Sequence, residues 1–285
     1  MQYHVNGELV DETNATIDVA DRGFLYGDAA FETLRAYGGQ VFAWDAHHDR
    51  LQNTCEALGI DHGLDGADLR SRVHETLAAN DLQNAYVRLS ITRGVQDARL
   101  TPLPAVDPGV VVIVEELPRG GVDGTSVWSG PARIESVETR RTPDDVIPAH
   151  AKTHNYLNGI LARRALSEDA HDALLLDHDD HVTEGTTSNV FWVRDGTLRT
   201  PGPGLPVLPG ITRWTVLRLA DELDIPVEQG TYTRRDVRQA DEVFLTNTTW
   251  EVRPVTEFNR TEYDVGDVTT RLASAFDELI EERFY

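Results

Sequence analysis

The sequence predicts a two-domain α+β protein, and three observations predict it. Apolar runs of strand length outnumber the amphipathic helical stretches and follow one another without strict β-α-β alternation, which disfavours a doubly wound sheet. Three glycines and a proline fall within residues 117–124, directly after an apolar strand and before new strand pattern, as in a linker. A length of 285 residues suits one large domain or two ordinary ones. The expected division is a first domain over 1–117, a linker over 118–126 and a second domain over 127–285.

The first domain opens with residues 3–10, a hairpin pattern turning at Asn6-Gly7. Residues 31–37, a turn at Gly38-Gly39 and the pair Val41-Phe42 form a second hairpin. Helices are expected over 45–58, closed by Gly59, and over 68–79, because apolar residues recur there every three or four positions. Residues 86–92 and 110–114 read as buried strands. The second domain begins with a strand over 134–137 and a helix over about 155–166. Strands over 173–176, 190–193 and 197–199, a helix over 212–223, strands over 242–246 and 252–255, and a closing helix over 268–282 complete it.

A formal charge of −22 repels nucleic-acid phosphates and anionic membranes, and excludes both as partners. The acids are dispersed among 40% apolar residues, so they coat a globular surface and do not form a disordered tail. With lysine almost absent, this composition resembles that of salt-adapted proteins. There is no 18-residue apolar run and no signal-peptide pattern, so a soluble cytoplasmic protein is expected. Cys55 is alone and forms no internal disulfide; the Asn-x-Thr triplets at Asn14, Asn247 and Asn259 read as chance matches. No metal site is expected. His150 and His154 lack a third ligand, and Asp177-His178-Asp179-Asp180 lacks the glycine and closing glutamate of a calcium loop, so it reads as a polar hairpin turn.

Chemistry concentrates at one residue. The chain has 25 arginines and a single lysine, Lys152. Lysine alone of the two can shed its proton and condense with a carbonyl. A stray surface lysine is the alternative, and the neighbourhood decides it.

Lys152 lies in His150-Ala151-Lys152-Thr153-His154-Asn155-Tyr156-Leu157-Asn158, just before a helix. Downstream come Val182-Thr183-Glu184-Gly185-Thr186-Thr187-Ser188-Asn189, then Leu208-Pro209-Gly210-Ile211-Thr212-Arg213, then Thr246-Asn247-Thr248-Thr249. Upstream are Asp21-Arg22-Gly23-Phe24-Leu25-Tyr26-Gly27-Asp28 and His47-His48-Asp49-Arg50-Leu51. In these ordered blocks, from Asp21 to about Pro254, the chain resembles the class IV (fold type IV) pyridoxal-phosphate enzymes. These comprise branched-chain aminotransferases, D-amino-acid aminotransferases and aminodeoxychorismate lyases.

The resemblance implies pyridoxal 5'-phosphate at a domain interface, a homodimer, and a role for each block. Lys152 would hold the cofactor's aldehyde and shuttle a proton at the substrate's α-carbon. Glu184 would face the pyridine nitrogen, so that the protonated ring acts as an electron sink. Ile211 and Thr212 open a predicted helix whose free N–H groups favour an anion, and would cradle the phosphate with Thr248 and Arg50. Tyr156 would hydrogen-bond the ring oxygen.

The substrates implied are an amino acid, of L configuration and branched-chain type, and a 2-oxo acid. Tyr86-Val87-Arg88 resembles a pocket strand of branched-chain aminotransferases; Tyr26 and Phe31 fall on pocket positions, and Thr249 where a backbone amide helps hold the substrate carboxylate. Thr33 departs from the glycine common in branched-chain enzymes and resembles the lyase branch. Ile91-Thr92-Arg93-Gly94 resembles both lyases and D-amino-acid enzymes, and Thr246-Asn247-Thr248-Thr249 departs from the usual Gly-Thr-Ala. A lyase releasing pyruvate and 4-aminobenzoate, and a D-amino-acid transaminase, therefore stay open as alternatives.

Overall fold

The computed structural model describes residues 1–97, 99–104, 107–119 and 127–285; most of the expected linker, 120–126, lies outside them. The chain forms two compact units. One comprises Met1–Arg119, Ala151–Asn155 and Phe284, the other Gly120–His150, Tyr156–Arg283 and Tyr285.

The first unit contains β1 (Gln2–Val5), β2 (Glu8–Asp11), α1 (Arg22–Tyr26), β3 (Ala29–Tyr37), β4 (Gln40–Val41), α2 (Trp44–Leu58), α3 (Gly66–Ala79), β5 (Ala85–Thr92) and β6 (Gly109–Glu116). Its antiparallel sheet runs β2-β1-β6-β5-β3-β4. Alternation along the strands divides the side chains by face. Leu34 and Ala36, Val87 and Leu89, and Val112 and Val114 pack with Leu51, Leu69, Val73 and Leu77 of α2 and α3. Each fully buried Leu or Val is worth roughly 1.5–3 kcal/mol, so this layer holds the sheet to its helices. Cys55 belongs to the same core, and burial pushes its thiol up to about 12, making it an inert packing group. The register leaves Phe31, Thr33 and Arg35 beside Ser90, Arg88 and Tyr86 on the opposite face.

The second unit contains β7 (Ala132–Ser136), α4 (Leu157–Arg164), β8 (Asp172–Leu174), β9 (Asn189–Arg194), β10 (Thr197–Pro201), α5 (Ile211–Glu222), β11 (Val227–Gly230), α6 (Arg234–Arg238), β12 (Glu242–Asn247), β13 (Glu251–Phe258), β14 (Thr261–Glu262) and α7 (Asp267–Phe284). Its mixed sheet runs β11-β10-β9-β12-β13-β7-β8, with β14 paired to β13. Val243 and Leu245 join a core with Trp192, Val190 and Val237 of α6. The alternate residues of β12 face the other way. Phe244 stacks on Phe191 at 5.0 Å, and Glu242 accepts the Val268 and Thr269 N–H groups, capping the start of α7. That face carries the start of α7, and α5 packs against β12 and β11.

The α+β expectation holds, and the expected elements form with ends shifted by a few residues. Two differ more clearly. The helix expected from about residue 155 starts at Leu157 with Tyr156 as its N-cap, and the strand expected to reach 176 ends at Leu174. Leu176 still bridges Val182, so residues 177–181 make a polar turn around the Asp177 carboxylate. The five-residue helices α1 and α6 and the short β11 and β14 escape the periodicity reading, being too short to show a period. No described helix is long and apolar enough to cross a membrane.

Candidate active site

Lys152 is fixed by its backbone before its side chain does anything. Its carbonyl accepts the Phe31 N–H at 3.0 Å, the His154 N–H donates to the Ala29 carbonyl at 3.0 Å, and Thr153 bridges Ala30. The segment therefore lies along β3 as a short antiparallel addition. On the other side, the Lys152 N–H donates to the Thr54 hydroxyl of α2 at 3.0 Å.

The side chain reaches the open face of the sheet. Lys152 Nζ lies 4.3 Å from the centroid of the Phe31 ring, and the Arg88 guanidinium carbon lies 3.8 Å from it. His154 meets the same ring edge-on at 5.5 Å, with Nε2 3.2 Å from Ser90 Oγ. Burial and, second, the Arg88 charge push the His154 ring down to about 4, so it is neutral at physiological pH. Four expected residues, Lys152, Phe31, Thr33 and Arg88, thus share one face, with Tyr86 next along β5. Tyr26 lies outside the strands. It ends α1, and its ring takes the Arg22 guanidinium at 4.9 Å.

Arg50 sits on the helix side of β3, where α2 buries Trp44, His47, Arg50, Leu51, Thr54 and Cys55. A cation in that stripe needs a partner, because an unpaired buried charge is costly. Glu32 supplies it. Arg50 Nε donates to Oε1 at 2.8 Å, Nη2 donates to Oε2 at 2.6 Å, and His47 Nδ1 stands 2.7 Å from Oε2. Burial alone would raise the Glu32 carboxyl, but the Arg50 charge and the hydrogen bonds from Arg50 and His47 outweigh it and hold it at about 2. Burial also lowers His47, more than Glu32 raises it, so the neutral ring donates from Nδ1 to the acceptor-only carboxylate.

The second unit gathers the remaining expected residues. Glu184 is buried; Oε1 accepts Arg141 Nε at 2.7 Å and Oε2 accepts the Leu208 N–H at 2.8 Å. Its block folds around Asp172, which is fully buried and accepts the Thr186 N–H and hydroxyl and, at 2.7 Å, the Ser188 hydroxyl. A Cβ at Gly185 would stand 2.2 Å from Ser188 Oγ and 2.6 Å from Asp172 Oδ2, so only glycine allows this closure.

The Glu184 block is fastened to the loop before α5. Asn189 Nδ2 donates to the Leu208 carbonyl at 3.0 Å, and a Cβ at Gly210 would lie 2.0 Å from Asn189 Oδ1. Gly210 is the extended N-cap of α5 and makes no side-chain cap, so Ile211 and Thr212 open the helix with N–H groups turned outward. Thr246 pairs across the sheet with Asn189, and its buried hydroxyl has no hydrogen-bond partner among the described residues. A helix N-terminus beside an unpartnered buried hydroxyl suits a phosphate. Glu184, already bound to a cation and an amide, suits a protonated ring nitrogen. The residues present fit pyridoxal phosphate.

Thr248 and Thr249 occupy the turn between β12 and β13. There Asn247 Oδ1 accepts the Thr249 N–H and hydroxyl at 3.0 Å each and the Trp250 N–H at 2.6 Å. The Thr249 amide expected at a substrate carboxylate is thus engaged by Asn247, the residue standing where the family pattern has glycine. Sequence reading assigned no role to Glu32, His47, Thr54 or Arg141. For three of them a signal existed: His47 and Thr54 interrupt the apolar stripe of α2 with Arg50, and Glu32 is an acid inside a buried strand.

A family model for class IV amino-transferases matches residues 29–258. A Methanocaldococcus jannaschii protein provisionally named a branched-chain-amino-acid aminotransferase is 39% identical over 284 residues, covering 98% of this chain and 96% of that protein. A Listeria monocytogenes D-alanine aminotransferase is 33% identical over 287 residues, covering 98% and 96%. Among solved structures, the branched-chain aminotransferase of the archaeon Thermoproteus uzoniensis with norvaline superposes with a TM-score of 0.91 at 29% identity, covering 100% of this chain and 97% of that one. The matches also include an aminodeoxychorismate lyase of Bacillus subtilis. The chain belongs to the class IV aminotransferases, enzymes of fold type IV that work with pyridoxal phosphate.

Proposed function

We propose that the protein transfers amino groups between L-amino acids of branched-chain type and a 2-oxo acid, in two half-reactions of ping-pong order, as a cytoplasmic homodimer. The observation that carries this reading is the face on which Lys152, Arg88 and His154 surround the buried Phe31 ring. An apolar ring beside a fixed cation and a neutral imidazole suits a substrate with an apolar side chain and a carboxylate.

When bound, the cofactor supplies an aldehyde that takes up the amino group and a ring that delocalises the electron pair of the broken bond. The residues of the chain do the rest. Lys152 would hold the aldehyde carbon until the substrate's amine displaces it, and its freed amine would then carry the proton from the substrate's α-carbon to that former aldehyde carbon. Glu184 keeps a proton on the ring nitrogen, and Tyr156 orients the ring oxygen. Arg50, Thr212, Thr248 and the Ile211 and Thr212 amides hold the phosphate.

The test is incubation of the purified protein with 2-oxoglutarate or pyruvate and panels of L- and D-amino acids. L-leucine, L-isoleucine and L-valine are expected as the best donors. A preference for D-alanine would move the protein to the D-amino-acid branch. Thr33, half-buried opposite Arg88, supports a second reading as a lyase, because its hydroxyl stands on the face where a leaving group would need a proton.

A further inference from the structure

Thr54 is fully buried on α2, one turn beyond Arg50. Its hydroxyl donates to the Arg50 carbonyl at 2.9 Å and accepts the Lys152 N–H at 3.0 Å. A hydroxyl carries one proton and two lone pairs, so both bonds form together without conflict. The links continue on both sides. Arg50 is gripped by Glu32, Lys152 is bound through its carbonyl by the Phe31 N–H, and Phe31 and Glu32 are neighbours on β3. Arg50, Thr54, Lys152, Phe31 and Glu32 therefore form a closed circuit of covalent and hydrogen bonds.

We propose that Thr54 is a positioning residue for the reaction: its hydroxyl fixes the root of Lys152 relative to Arg50, so that the reactive amine and the phosphate-holding cation keep one spacing. The proposal rests on the reading above that both residues serve the cofactor. The reason is mechanical. Lysine reaches its amine through a flexible four-carbon stem, so the amine is placed no better than its own backbone. A threonine that did nothing but satisfy backbone groups would change stability alone.

Wild type, Thr54→Val and Thr54→Ser are compared as holoenzymes for kcat, KM and the pH midpoint of the cofactor's visible absorption band. Thermal unfolding is followed beside them. Valine keeps the shape and deletes the hydroxyl; serine keeps the hydroxyl. A misplacement of about 1 Å costs on the order of a hundredfold in rate, so the valine variant is expected to lose tenfold or more in kcat with KM near wild type. The absorption midpoint is expected to shift, and serine to restore both. A valine variant with wild-type kcat and midpoint, or a serine variant as impaired as valine, overturns the proposal. If Thr54→Val does not fold, Thr54→Cys, with its weaker hydrogen-bonding group, takes its place under the same criteria. Borohydride labelling of the wild type separates the two levels. Label away from Lys152 overturns the reading of Lys152, whereas label on Lys152 with an unperturbed valine variant overturns the role of Thr54 alone.

Discussion

Glu32 grips the Arg50 guanidinium with both carboxylate oxygens, on the opposite side of β3 from Phe31 and Thr33. One strand thus presents the residues proposed to face the substrate on one side and an ion pair on the other, and the period of two makes this division automatic. Isolated, either charge would be prohibitive at this depth; together they are a fixed unit.

The pair sets an acid limit on stability. The Glu32 carboxyl titrates at about 2 in the fold, below its ordinary 4.5. Its contribution is complete above the ordinary value and is lost as pH falls through the folded one. Glu32→Gln leaves Arg50 charged and buried, and is expected to cost roughly 3–5 kcal/mol near neutral pH. The gap between variant and wild type should narrow below about pH 4.5, which denaturant titrations at about pH 7, 5 and 3 would follow. A gap independent of pH would contradict the pairing.

Lys152→Ala is expected to fold normally, because the Thr54, Phe31 and Ala29 bonds along this segment use backbone atoms that alanine keeps. Stability should change by less than about 0.5 kcal/mol, while turnover falls by orders of magnitude with the loss of the amine. Borohydride treatment of the yellow wild type should attach the cofactor to the one peptide containing Lys152. Label on the N-terminal amine with a fully active alanine variant would falsify the assignment.

Glu184→Gln separates charge from shape. The amide can still accept the Leu208 N–H, but it no longer neutralises Arg141 or favours a protonated ring nitrogen. Cofactor content should stay near wild type while kcat falls at least about tenfold. Loss of cofactor in step with rate would point to an anchoring role instead.

The architecture was legible in the chain because its carriers are local. Alternation gave the strands, the Asn6-Gly7 turn joined the first two, Gly59 closed a helix, and the lone lysine with its ordered blocks indicated the chemistry. What was not legible depends on partners far apart in sequence. Glu32 reads as an anomaly until α2 packs on β3 and brings Arg50 and His47 to it. Thr54 reads as a small helix residue until the segment around Lys152, nearly a hundred positions later, lies against it. Asn247 looked like a departure from pattern; its carboxamide oxygen organises the turn carrying Thr248 and Thr249, which only the folded hairpin reveals.

Gly210→Ala tests the junction before α5. The added methyl would meet Asn189 Oδ1 at 2.0 Å, so the Asn189–Leu208 bond or the start of α5 must move. Overpacking of this kind costs about 1–3 kcal/mol. Because the shift falls on the helix start proposed to hold the phosphate, cofactor dissociation should quicken even where the protein remains folded. Unchanged cofactor release would detach that helix start from the cofactor.

Thr33 decides between amino transfer and elimination. It is half-buried on β3, paired with Arg88 and two residues from Phe31 on the same face. In the proposed mechanism both reactions would begin with Lys152 taking the α-proton. In transfer, that proton would pass to the cofactor's aldehyde carbon and an acceptor keto acid is needed for turnover; in elimination, pyruvate would depart and no acceptor is required. Under the transfer reading the Thr33 side chain only narrows the space for the substrate. Thr33→Gly should then preserve or broaden activity with branched L-amino acids, at a strand-interior cost of about 0.5–1 kcal/mol. Under elimination the hydroxyl would assist the departing group, and Thr33→Ala would abolish turnover. Amino transfer to 2-oxoglutarate, followed with Thr33→Gly and Thr33→Ala beside an acceptor-free pyruvate assay on aminodeoxychorismate, distinguishes them. Pyruvate released without any keto acid, and lost in the alanine variant, would place the enzyme with the lyases.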